Sequence, residues 1–93
     1  MKTFADLQFV SHPSLAMGGV VARVNFPNGY GASVIMGDFS YGGNRGLYEL
    51  AVLKSDDICY DTPIASDVIG YLTRDEVSDV MRRIQELEPE AVE

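Results

Sequence analysis

The chain has 93 residues, 46% of them apolar, with no Trp, one Cys, one His and a formal net charge of −7. That length makes one domain, that composition is too apolar for a disordered chain, and a single Cys excludes an internal disulfide framework. No apolar run approaches the ~20 residues that span a bilayer, and the first residues lack the basic-then-apolar pattern of a secretory signal, so a soluble chain in a reducing cytoplasm is expected.

Residues 4–10, FADLQFV, alternate loosely and run into the turn cluster Ser11-His12-Pro13-Ser14. They read as a first strand at a sheet edge. Gly18-Gly19 releases the chain into VVARVNF, residues 20–26, whose even positions are all apolar. This is a half-buried strand of period two. YGASVIM, residues 30–36, reads as its return strand.

The loop between them can be counted. A two-residue Asn28-Gly29 loop would set Val24 opposite Ser33 and Phe26 opposite Gly31, mixing the faces. A three-residue loop, Pro27 to Gly29, pairs Phe26 with Tyr30, Val24 with Ala32, Ala22 with Val34 and Val20 with Met36. A one-residue slip would turn the apolar set to water, so the second register is expected, with Gly29 in the left-handed conformation.

LYELAVLK, residues 47–54, is apolar on both faces and reads as a central strand. Glu49 is its one interior charge, and Arg23 on a neighbouring strand is the candidate partner. Asp56-Asp57 marks a turn, and Ile58-Cys59-Tyr60 is a candidate short strand. Asp61-Thr62-Pro63 breaks the chain again, and residues 64–72, IASDVIGYL, fit either a short helix or irregular structure. Thr73 with Glu76 then forms a capping box, followed by Val77, Val80, Met81, Ile84 and Leu87 on one helical stripe. Pro89 ends the helix, and residues 88–93 read as a fraying tail.

The expectation is an α+β protein, a single domain over 1–93: a three- or four-stranded antiparallel sheet with one C-terminal helix packed on its apolar face. The core is thin at this size, so self-association, a homodimer included, would add buried area.

The charge is unevenly placed, with eleven of the fourteen acids in residues 56–93 against three arginines. An acidic half repels phosphate and suits a basic partner surface. Asp56, Asp57, Asp61 and Asp67 with the tail glutamates could present carboxylates to a basic nucleic-acid-binding surface. A plain solvated surface has the same composition, and Asp79–Arg83 and Arg82–Glu86 have the i,i+4 spacing that simply solubilises a helix.

GDFSYGGNRG, residues 37–46, holds four glycines, two aromatics and one arginine. A phosphate cradle needs a helix after the glycines and usually a Lys-Ser or Lys-Thr pair, whereas this stretch leads into a strand. A nucleic-acid grip of Phe39, Tyr41 and Arg45 has one cation where many are needed. A strand-to-strand loop is the default, and its Phe39, Tyr41 and Arg45 are residue types favoured at interface hot spots. His12 and Cys59 are poor candidates for a base–nucleophile pair, since one sits before a proline and the other in an apolar triplet. One His and one Cys cannot build a zinc site, and Asp56, Asp57 and Asp61 lack the calcium-loop spacing. No catalytic residue, metal or cofactor is therefore expected.

FPNGYGASVI, SYGG and GLYELAVL, followed by TPI and an acidic C-terminal helix, resemble short uncharacterised proteins encoded by bacteriophages and prophages. The resemblance covers most of residues 20–73 and carries no catalytic motif. It implies an accessory protein in the cytoplasm of an infected bacterium that binds and blocks a host defence or nucleic-acid-handling protein, in the manner of an anti-CRISPR. On that reading Phe39, Tyr41 and Arg45 supply a contact loop and Asp56, Asp57 and Asp61 complement a basic surface, with no direct nucleic-acid or membrane contact. The other reading is a small virion or assembly protein that self-associates.

Overall fold

The computed structural model describes residues 1–11, 19–37, 40, 42–54, 57–58 and 68–88. Among them, six antiparallel segments build one sheet: β1 (Val10–Ser11), β2 (Val20–Asn25), β3 (Tyr30–Met36), β4 (Tyr48–Lys54), β5 (Asp57–Ile58) and β6 (Ile69–Leu72). Five positions run across the sheet. β5 and β6 share the fifth, pairing with opposite ends of the same edge of β4 (Leu53 with Ile58, Tyr48 with Leu72). A helix, α1 (Arg74–Gln85), follows β6. The fold is α+β as expected, but the sheet is wider than three or four strands. β5 and β6 are two and four residues long, too short to carry a period-two pattern.

The central hairpin has the anticipated register, with Val20 opposite Met36, Ala22 opposite Val34, Arg23 opposite Ser33 and Val24 opposite Ala32. The Phe26 N–H donates to the Tyr30 carbonyl at 2.8 Å, closing the three-residue loop, and Gly29 takes φ +89°. Burial of one face fixes this register, because Ala22, Phe26, Ala32 and Val34 all lie in the core.

β4 is central. β3 lies along one edge and β5 and β6 along the other, with Leu50 and Val52 buried on one face and Ala51 and Leu53 on the other. Glu49 stands level with Ile35 and Val21, and Arg23 stands two pairs further along, level with Ser33 and Ala51.

α1 begins as its capping box dictates. The Glu76 N–H donates to Thr73 Oγ1 at 3.2 Å, and the Thr73 N–H donates to Glu76 Oε1 at 3.0 Å. Val77, Val80, Met81 and Ile84 are buried against Leu50, Val52 and Leu72, and Leu87 packs at the edge. Burying each such side chain contributes roughly 1.5–3 kcal/mol, so this stripe holds the helix down. On the exposed side Arg82 takes Asp79 at 2.6 Å and Glu86 at 2.8 Å. Arg82 therefore serves the acid that the sequence spacing assigns to Arg83. Its pKa is raised, first by the hydrogen bond to Asp79 and then by the charge of Glu86.

The N-terminal segment departs from expectation. Residues 4–10 are no strand: Phe4–Asp6 form one 3-10 turn, and only Val10 and Ser11 pair with β2. The Asp6 carboxylate accepts the Thr3 N–H at 2.8 Å, a local turn bond that competes with extended pairing. The segment lies along α1 instead. The Gln85 side-chain amide accepts the Lys2 N–H at 2.8 Å and donates to the Lys2 carbonyl at 2.7 Å, and the Phe4 N–H donates to Ser78 Oγ at 3.0 Å. Phe4, Phe9 and Tyr48 form an aromatic trio with ring centres 5.1 to 5.7 Å apart.

Candidate functional site

The two ends of β4 organise the surface. At the Tyr48 end, the described part of the glycine-rich stretch forms two linked turns. The Ser40 side chain, almost fully buried, accepts the Gly37 N–H at 2.9 Å and donates to the Gly37 carbonyl at 2.9 Å. Gly43–Arg45 is a 3-10 turn flanked by Gly42 and Gly46, both left-handed. The N–H groups of Gly37, Ser40, Gly43, Arg45, Gly46 and Leu47 all donate within residues 37–47. A phosphate cradle needs donors turned outward, and these six, among the described residues, are turned inward.

Contact restricts Gly42 and Gly43, whereas a Cβ on Gly46 would meet nothing within 4 Å. A Cβ on Gly43 would run into the Gly37 carbonyl, and one on Gly42 would meet Tyr71 Cα at 3.0 Å and its ring at 3.1 Å. The stretch is thereby shaped to receive Tyr71, a residue that pattern reading passes over. Between the pairs Tyr48–Leu72 and Leu50–Ile69, β6 carries one more residue than β4, a bulge. Tyr71 sits in it at φ +58°, the one non-glycine residue with positive φ among the described residues. It is 55% exposed. Gly70, which would adopt this conformation freely, stands one position earlier. A left-handed φ in a bulky residue costs roughly 1–2 kcal/mol and marks either strain or use.

Of the residues assigned to a contact surface from sequence, Arg45 is exposed on the 3-10 turn beside this bulge. Phe39 and Tyr41 of the same stretch lie outside the described residues, as do Asp56 and Asp61. Asp57 is placed in β5, opposite Lys54, rather than in a turn. Arg45 and Asp57 thus stand at opposite ends of β4, whose seven residues span about 20 Å. A partner touching both must cover that distance, within reach of a standard interface of about 800 Å² per side.

His12 and Cys59 lie outside the described residues. Among the described residues there is no group of three His, Cys, Asp or Glu side chains placed to hold a metal, and no helix long and apolar enough to cross a membrane. Two shallow clefts flank the N-terminal segment. One of about 420 Å³ lies between Met1, Phe26, Pro27, Asn28 and Gln85, and one of about 400 Å³ is bordered by Lys2, Asp75, Ser78 and Arg82. No protein family, no curated protein and no solved structure matches the chain.

Proposed function

We propose that this chain is a non-enzymatic binding protein that contacts its partner through the Tyr48 end of the sheet, with Arg45 and Tyr71 as anchors. The observation that carries this reading is Tyr71, held left-handed, half-exposed and seated against Gly42. Strain of that kind persists where surrounding structure enforces it, and it gathers at binding and switching sites. Tyr and Arg are also the residue types that most often dominate binding energy. The net charge of −7 favours a basic partner surface. With the resemblance to phage-encoded proteins, the partner is a host defence or nucleic-acid-handling protein, and binding blocks it.

The test is affinity capture from bacterial lysate, with the recovered protein purified and titrated against the native chain and Tyr71→Ala, Arg45→Ala and Asp57→Asn variants. Loss of one or both anchors should weaken affinity about thirtyfold or more, the ~2 kcal/mol that defines a hot spot, with the melting temperature at or slightly below that of the native chain. Rising salt should slow association. Undiminished affinity in the Tyr71→Ala/Arg45→Ala double variant would sink the proposal.

Self-assembly is the second reading, favoured by Val10, 61% exposed on the two-residue edge segment β1. A concentration-independent oligomer by light scattering, lost in Val10→Lys, would transfer the assignment to it.

A further inference from the structure

The Asn28–Gly29 pair ties the hairpin to the helix. Asn28 Nδ2 donates to the Ile84 carbonyl at 2.9 Å and to the Leu87 carbonyl at 3.1 Å, and its Oδ1 accepts the Tyr30 N–H at 3.1 Å. The Gly29 N–H donates to the Phe26 carbonyl at 3.1 Å. These bonds hold the Ile84 carbonyl, in the last turn of α1, and the Leu87 carbonyl just beyond the helix with a side chain 56 and 59 residues away in sequence.

The same pair is chemically labile. Asn is a thermolabile residue, and a following Gly leaves the next backbone nitrogen unshielded by any Cβ. Once deprotonated, the Gly29 nitrogen can attack Asn28 Cγ, forming a C–N bond while the Cγ–Nδ2 bond breaks. Nδ2 departs as ammonia and carries off the proton that Gly29 gave up. Water then opens the cyclic imide at either carbonyl, leaving aspartate or isoaspartate. In the folded chain both reacting groups are engaged, the nitrogen by Phe26 and the carboxamide by three bonds.

We infer that Asn28 is a hydrolytic self-modification site that the folded state holds closed and that, once used, keeps this clamp from closing again. A carboxylate at position 28 has no N–H for the Ile84 and Leu87 carbonyls and adds negative charge at the negative end of the helix dipole. Isoaspartate would also lengthen the backbone of a three-residue loop whose register leaves no slack. The inference is independent of what the chain binds.

The experiment incubates the purified full chain at mildly alkaline pH, in native buffer and in denaturant, and follows residue 28 by intact mass and peptide mapping. Deamidation should run about tenfold or more slower in native buffer, since it must await local opening of the loop. Aged protein should melt at lower temperature, and Asn28→Asp should reproduce that loss and exceed Asn28→Ala. Equal rates in the two conditions would overturn the inference, as would aged protein melting like fresh. If Asn28→Asp does not fold, the paired rates and the melting of aged protein decide the matter alone.

Discussion

The two ends of β4 are closed in opposite ways. At the Lys54 end, the Pro27–Gly29 loop gives each backbone demand a residue suited to it: Gly29 takes φ +89° with open space around it, and Asn28 caps the neighbouring helix. At the Tyr48 end, Gly42 and Gly46 are well matched to their turns, yet the bulge beside them holds Tyr71 left-handed with Gly70 next to it. The first end is built for stability. The second keeps a conformation that stability alone would discard, and this contrast is what makes it the better candidate for contact with a partner.

The largest effect should come from the core that serves both ends. Ile84 is fully buried, and its carbonyl is one of the two that Asn28 caps. Ile84→Ala should cost about 2–5 kcal/mol in denaturant unfolding, with an unchanged dependence on denaturant concentration. A cost below about 1 kcal/mol would mean the helix is not anchored by this stripe, and the description of the Lys54 end would fail.

Two glycine substitutions separate the ends more finely. Gly43→Ala must displace the Gly37 carbonyl, an overpacking worth about 1–3 kcal/mol. Gly29→Ala meets no atom and bears only its left-handed φ, net about 1 kcal/mol once the stiffer unfolded chain is counted. Thermal melting of both variants orders them. Equal costs would show that the glycine-rich stretch yields as easily as an open loop.

These differences also explain what the sequence made legible. The hairpin register was readable because a slip of one residue would expose Ala22, Val24 and Phe26 together. The helix start was readable because Thr73 and Glu76 lie three apart and their bonds are local. Residues 4–10 misled because loose apolar alternation imitates a strand, while the Asp6–Thr3 bond decides for a turn. Arg45 was singled out from its type and setting, and it stands exposed on the 3-10 turn. The clamp from Asn28 to Ile84 and the contact of Gly42 with Tyr71 were invisible, since each joins distant residues through geometry that no local pattern encodes. Tyr71 was concealed further by Gly70, the residue that turn chemistry would place at a positive φ.

The smallest effect, and the sharpest, concerns Tyr71 itself. Tyr71→Gly removes the left-handed penalty of roughly 1–2 kcal/mol but adds about 0.5–1 kcal/mol of chain entropy in the unfolded state. The melting temperature should therefore hold or rise slightly. Tyr71→Ala keeps the Cβ and so keeps the penalty, and it should melt at or below the native chain. The order Gly above Ala identifies the backbone as the strained element and leaves the ring free for a partner. The reverse order would mean that the left-handed conformation costs less than the chain entropy a glycine adds, so that the backbone at Tyr71 is not strained. The bulge would then be ordinary packing, and the two ends of β4 would differ only in sequence.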